Sequence, residues 1–346
     1  MKAVVIAEHG GPEVLRMEQR PAPRPAPDEV LLDVKAVGLN HLDTWVRRGV
    51  PGHTFPLPLI PGCDFSGVVA EVGSCVRGVE VGQRVLVAPG VSCGRCAHCA
   101  AGDDNLCAEY GIFGETCDGG CAEQAVVHGR NVIAMPEGLP FVQAAAFPLT
   151  FLTAWHMLMS KCRLRAGDDV LVHAAGSGVG TAALQIAALH GARVIATAGS
   201  EAKLEKARAL GAHHTVCYAD PDWPRQVKAI SGRRGVDIVI EHVGEATMPG
   251  SLRCLAKGGR LVTCGATSGP RLEADLRHLF FKNIAILGST MGSRGELHRI
   301  VKLVGRGLLA PVIDRVLPLD QVAVAHAAML NREQFGKIVL TIGEPS

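Results

Sequence analysis

Residues 169–190 hold an apolar strand, a glycine turn and a helix in immediate succession. Asp169–Ala174 reads as the strand, Gly176-Ser-Gly-Val-Gly180 as the turn and Val179–His190 as the helix. Such a turn brings backbone N–H groups, and the positive end of the helix dipole, to face an anion. Glycine turns occur at many strand–helix junctions, so the flanking pattern matters. Strand signals follow at Arg193–Thr197, Thr215–Cys217, Val236–His242, Arg260–Cys264 and Ile284–Gly288. Helical stretches lie between them at Glu201–Leu210, Asp222–Ile230 and Ala246–Ala256. Repeated units of this kind predict a doubly wound parallel sheet covered on both faces, with a dinucleotide at residues 175–180.

The remainder reads differently. Ala3–Ala7, Glu29–Val37, Gly67–Val72 and Gln83–Val87 are short β-branched runs bounded by Gly, Pro or charge, which predicts a strand-rich domain. Pro21–Pro27 alternates proline and cannot be helix or central strand. It reads as a stiff surface connection within one domain. Lys337–Ile342 is a further short strand, expected to pair back with the first domain. At 346 residues the chain suits two domains.

Lys+Arg 35 against Asp+Glu 33 leaves a net charge of +2, and the longest basic clusters are pairs such as Arg47-Arg48. Nucleic acid binding through phosphates needs a concentrated positive field, so it is not expected. No apolar run is long enough for a membrane helix, and the opening segment is too brief for a signal peptide. A cytoplasmic location is expected, where twelve cysteines argue for thiols and metal rather than disulfides.

Residues 90–122 are poor in aliphatics and too long for a stable loop without help. Cys93, Cys96, Cys99 and Cys107 lie within this stretch, at a spacing that can close tetrahedrally on one zinc. Four protein ligands leave no open position, so this zinc would hold structure. His98, inside the cluster, reads as a solvated loop residue. The other eight cysteines are scattered, and most should be small packing residues.

Nicotinamide folds that take NAD usually place Asp or Glu about 20 residues past the glycine turn, on the ribose 2′-hydroxyl. Here the second strand ends Ala198-Gly-Ser200 with no carboxylate at its tip. Ser200 and Lys203 can donate to a 2′-phosphate, which favours NADP(H); a plain helix N-cap for Ser200 is compatible with the same role. The cofactor set is then Ala175, Gly176, Ser177, Gly178, Val179, Gly180, Ser200 and Lys203, to which Lys337 is added.

Taken together, the chain resembles the medium-chain dehydrogenase/reductase superfamily over essentially its whole length. The resemblance rests on Leu39-Asn-His-Leu-Asp43, Pro61-Gly-Cys-Asp-Phe-Ser-Gly67, the four-cysteine lobe, the nucleotide turn and Phe335-Gly-Lys337. Residues 40–49 and 145–154 look like the quinone-reductase branch; the cysteine lobe looks like the zinc alcohol dehydrogenase branch. The resemblance implies a GroES-like catalytic domain (1–150 and 287–346, zinc lobe about 90–110) and an inserted Rossmann domain (151–286). Zinc alcohol dehydrogenases carry a catalytic Cys where this chain has Asn40, and Gly-His-Glu where it has Gly62-Cys63-Asp64. They carry a third ligand in the segment matching Phe147–Thr150, which here offers none. A catalytic zinc is therefore not expected.

The expectation is an NADPH-dependent reductase of a quinone or α,β-unsaturated carbonyl, with Asn40 donating to the substrate carbonyl. His41, Asp43 and Thr153 would position cofactor, substrate or a proton; turn capping by Asn40 and Asp43, and helix packing by Thr153, compete. Trp45 and Phe55 line an apolar pocket or belong to the core. The apolar edge Ile284–Gly288 suggests a homodimer, or a homotetramer, with a small-molecule substrate as the other partner. Two rivals stand beside this reading: an NAD(P)-dependent alcohol dehydrogenase with a non-standard metal site involving Cys63 and Asp64 or none, and an NADP(H)-binding sensor or scaffold without turnover.

Overall fold

Six apolar strands form an all-parallel sheet in the order His214–Cys217, Arg193–Ala198, Asp169–Val172, Val236–Glu241, Leu255–Thr263, Ala285–Gly288. In chain order this is 3-2-1-4-5-6, the doubly wound arrangement whose ligand crevice lies at the carboxyl ends of the central strands. The central strands are buried on both faces, which explains their unbroken aliphatic runs. Leu171, Ile195, Val216, Val239 and Leu261 meet Trp223, Val227, Met248 and Leu252 from the covering helices in one core.

The structure is a computed structural model describing residues 1–343. The chain divides into a unit of Met1–Leu149 with the chain from Ser293 onward, and a unit of Thr150–Gly292 that holds the parallel sheet. Most elements fall within a residue or two of their expected bounds. The largest difference is near residue 255. The helix there is Met248–Cys254, two residues later at its start and two shorter at its end than the sequence pattern suggests. Pro249 sits in its first turn, where proline costs no hydrogen bond. Leu255 already turns extended, so the next strand starts five residues early, at Leu255, and passes Gly258 at a φ of 76°.

The first unit is built on a mainly antiparallel sheet. Its path runs Ile313–Pro318, Lys337–Thr341, Glu29–Gly38, Asp64–Val72, Arg84–Val87, Val132–Ala134, with Gln124–His128 also paired to Glu29–Gly38. Lys337–Thr341 does pair back, antiparallel to Glu29–Gly38, with Val339 opposite Gly38. That register sets Lys337 beside the start of the helix His41–Arg48 and the start of Asp64–Val72. Gly38 is required there: a Cβ would stand 2.0 Å from the Ala145 carbonyl oxygen. The proline run 21–27 has no regular structure except a turn at its end.

Candidate functional site

The glycine turn has the form a dinucleotide site needs. Ser177 is the N-cap of the helix Gly178–Leu189, and its hydroxyl accepts the Gly180 N–H at 2.8 Å. A Cβ on Gly180 would lie 2.4 Å from the Ala174 carbonyl oxygen, so only glycine lets helix and strand approach this closely. Ala174 itself takes a φ of 45°, a conformation uncommon outside glycine. Ala175, Ser177 and Gly180 spend their N–H groups on Thr197 O, Ala174 O and Ser177 Oγ, which fixes the turn and leaves those of Gly176, Gly178 and Val179 at the helix N-terminus, an arrangement that fits a pyrophosphate.

At the tip of Arg193–Ala198, Ser200 is exposed and occupies the N-cap of Glu201–Ala209, yet its side chain makes no capping hydrogen bond. Lys203 is half-buried one turn on. The one acid beside them, Glu201, is taken by Arg208, whose Nη1 donates to it at 2.8 Å.

A buried polar chain, outside the expected site residues, lies beneath the ends of these strands. His173 Nδ1 is 2.9 Å from Thr197 Oγ1, and its Nε2 is 2.9 Å from Ser251 Oγ. Ser251 donates to Glu241 at 2.8 Å, and Thr247 donates to the same carboxylate. Burial holds His173 below its ordinary pKa despite Glu241, whose own pKa lies below its ordinary value because these neighbours outweigh its burial. The available signal was a charged pair, Glu241-His242, ending an otherwise aliphatic strand.

In the first unit Asn40, Asp43, Cys63, Asp64 and Lys337 converge, all buried. Asn40 caps the helix His41–Arg48, and its backbone N–H donates to Asp43 at 2.7 Å. Asp43 also accepts the Gly62 N–H at 3.1 Å, and Asp64 accepts the Leu149 N–H at 2.8 Å. Asn40 Nδ2 donates to Asp64 at 2.8 Å and faces Gly38 O and Cys63 Sγ at 3.1 and 3.3 Å. Three acceptors already compete for its two hydrogens, so the expected donation from Asn40 to a substrate carbonyl has no donor in this arrangement. Lys337 Nζ donates to Asn40 Oδ1 at 2.6 Å and to Asp64 at 3.3 Å. Burial pushes Asp43 up to about 6 and raises Asp64, against the pull of Lys337. Burial, reinforced by the two carboxylates, also drives the Cys63 thiol well up.

His41 is exposed on the first turn, its ring edge-on to Trp45 at 5.4 Å. Phe55 belongs to the core of the unit, whereas Trp45 is half-buried. Thr153, in the second unit, is buried on the helix Pro148–Trp155, and its hydroxyl points to Met291 Sδ at 3.9 Å.

The thiols of Cys93, Cys96, Cys99 and Cys107 lie within 4.8 Å of one another. Cys93 stands 4.0 Å from Cys99 and 3.5 Å from Cys107. A zinc with Zn–S bonds of about 2.3 Å sets its thiolates roughly 3.8 Å apart, so the donor set fits that ion. Backbone N–H groups of Arg95 and Cys96 lower the Cys93 thiol to about 6, favouring the ligating thiolate. Among the described residues this is the only grouping of three or more His, Cys, Asp or Glu side chains able to hold a metal. His98 is exposed and outside it. Of the other cysteines, Cys63, Cys121, Cys162 and Cys254 are buried, while Cys75 is exposed.

Comparison with known proteins agrees with this geometry. The family profile described as "Alcohol dehydrogenase GroES-like domain" matches residues 26–137, and "Zinc-binding dehydrogenase" matches 178–306. A quinone oxidoreductase of Rattus norvegicus is 31% identical, covering 99% of this chain and 98% of its own. A 2-haloacrylate reductase of a Burkholderia species is 32% identical over 98% of both chains. A crystal structure titled as an NAD-dependent alcohol dehydrogenase is 50% identical, with a TM-score of 0.96, covering 99% of this chain and 100% of its own. The chain belongs to the medium-chain dehydrogenase/reductase superfamily and is an oxidoreductase. Its two units are a GroES-like domain and a Rossmann-like parallel-sheet domain.

Proposed function

We propose that the protein is an NADPH-dependent reductase of a quinone or an α,β-unsaturated carbonyl, carrying one structural zinc and no catalytic one. The observation that carries this reading is the position of Lys337. Its ammonium already stands among Asn40, Asp64 and Cys63, where zinc relatives would need three metal ligands. A fixed positive charge balances Asp64, and amide and ammonium hydrogens occupy the lone pairs of Asn40, Cys63 and Asp64 that an ion would require. Cys93, Cys96, Cys99 and Cys107 hold the structural zinc, ordering a lobe with little core of its own.

NADPH held there would supply a hydride for an electron-poor carbon, and one proton from the protein or solvent would complete the two-electron reduction. Residues 175–180 hold the pyrophosphate. Ser200 and Lys203 hold the 2′-phosphate, with Glu201 neutralised by Arg208. His41, exposed on its helix, passes a proton from solvent. Thr153, whose hydroxyl has only a weak thioether acceptor among the described residues, turns that hydrogen toward the substrate oxygen. Asn40 and Asp43 keep Lys337 and the chain before the helix His41–Arg48 in place. The quinone oxidoreductase and haloacrylate reductase among its relatives support a reducing role on activated acceptors.

We also assign a homodimer through the edge strand Ala285–Gly288. Ile286 on that strand and Phe280 and Phe281 on the adjoining helix are exposed, the latter two at 61% and 70%. An open apolar edge is covered in stable proteins. A cytoplasmic location suits twelve cysteines without a disulfide among the described residues.

The second reading, an NAD-dependent alcohol dehydrogenase, is favoured by the 50% identical structure with that title. Steady-state assays separate the two. NADPH oxidation by a naphthoquinone or an enone, faster than NAD reduction by simple alcohols, is expected; the reverse order would establish the second reading. Absence of any turnover would leave a binding protein.

A further inference from the structure

We propose that His242 is a positioning residue for the dinucleotide site, acting through Ser177 to make that serine's hydroxyl hydrogen available to a cofactor phosphate. The proposal rests on the NADP(H) reading above and assigns a role that the glycine motif alone does not contain.

His242 and Ser177 are 65 residues apart in sequence. The parallel pairing of Val172 with Ile240 brings the two strand ends side by side. His242 Nε2 then lies 2.9 Å from Ser177 Oγ. That oxygen already accepts the Gly180 N–H at 2.8 Å, and a hydroxyl has one hydrogen to give. Two arrangements follow. If Nε2 is bare, the Ser177 hydrogen is spent on it and nothing is left for a ligand. If Nε2 carries a hydrogen, His242 donates to the second lone pair of Oγ. The hydroxyl hydrogen is then released to point away from the imidazole, at the N-terminus of the helix Gly178–Leu189. A phosphate there selects the second arrangement, because a hydrogen bond to a charged oxygen is about twice as strong as a neutral one.

The backbone around His242 is fixed for this purpose. The Glu241 carboxylate, fully buried, accepts the N–H groups of Val243 and Gly244 at 2.8 and 3.2 Å. Thr247 and Ser251 hold the same carboxylate from the next helix. His242 is itself buried, so its ring has little room to leave Ser177. The strand end therefore delivers an imidazole nitrogen to the cap of the cofactor helix.

The test is a double-mutant cycle on NADPH affinity, read by nicotinamide fluorescence with His242→Phe, His242→Gln, Ser177→Ala and the His242→Phe/Ser177→Ala pair. His242→Phe and Ser177→Ala are each expected to weaken binding about ten-fold, the scale of one hydrogen bond to a charged group. The pair should bind no more than about two-fold worse than either single, since both remove one device. His242→Gln, whose amide N–H reaches the same place, should keep most of the affinity. His242→Ala closes the same cycle should His242→Phe not fold. Losses that multiply in the pair, a His242→Phe protein that binds like wild type, or a His242→Gln as weak as His242→Phe would overturn the proposal. Wild-type protein that binds neither NADPH nor NADH would overturn the cofactor reading, and the proposal with it.

Discussion

Lys337 Nζ lies 2.6 Å from Asn40 Oδ1, although 297 residues separate the two in the chain. Sheet register makes the contact: Lys337–Thr341 runs antiparallel to Glu29–Gly38, whose end leads directly into Asn40. An ammonium buried in this way is stable only because Asn40 and Asp64 both accept from it.

Replacing that ammonium with an apolar chain should therefore leave Asp64 buried without a counter-charge. Lys337→Met is expected to lower unfolding stability by about 3–5 kcal/mol, read by urea denaturation. Adding Asp64→Asn should recover a large part of the loss. A Lys337→Met protein as stable as wild type would show that the pair does not carry the charge balance described here.

The tip of Arg193–Ala198 makes a prediction about cofactor choice. Lys203→Ala should weaken NADPH binding about ten-fold, as for one lost hydrogen bond to a charged oxygen, and leave NADH binding within about two-fold. Fluorescence titration of both reduced cofactors measures it. Wild-type protein that prefers NADH, combined with an indifferent Lys203→Ala, would refute the 2′-phosphate site.

Acid stability should depend on His326. Both of its ring nitrogens are buried with no hydrogen-bond partner among the described residues, and burial, with Arg47 adding to it, pushes its pKa down to about 3 from 6.5. The folded form then binds fewer protons than the unfolded chain between these values. Stability is full above pH 6.5 and falls as the pH drops toward 3. The slope is about 1.4 kcal/mol per pH unit, or roughly 3 kcal/mol by pH 4. Asp43, pushed up to about 6, works in the opposite direction, since its protonated form is the one the fold prefers. His326→Leu retains Asp43, so the difference between the two proteins isolates the histidine. The wild type should lose about 3 kcal/mol more than His326→Leu between pH 6.5 and 4; parallel pH profiles would contradict this.

Association should depend on the edge of the parallel sheet. Ile286→Lys with Phe280→Asp places charge on that edge and on the helix beside it, and sedimentation should show a shift from dimer to monomer. A dimer that survives both changes uses another face.

Much of the fold was legible because its determinants are local. The aliphatic runs 169–172, 193–198 and 236–241 need burial on both faces, and the glycine turn fixes where the first helix begins. The four-cysteine lobe was legible because ligand spacing is itself local. The polar clusters were only partly legible. Asp64 and Lys337 lie in the segments that carry the family resemblance, but their pairing depends on sheet register between segments far apart. The chain from His173 through Ser251 to Glu241 joins three elements, and each residue alone reads as an ordinary core or cap residue. Asn40 shows the same limit from the other side. Its capping role follows from the sequence, whereas the saturation of its amide by Gly38, Cys63 and Asp64 follows only from packing.

Metal content of the purified protein tests most directly whether reduction proceeds without a catalytic ion. Elemental analysis should give one zinc per chain, and Cys96→Ser with Cys99→Ser should reduce it to near zero. Two zinc ions per chain, or one that remains in the double variant and is lost on Asp64→Asn, would contradict the account.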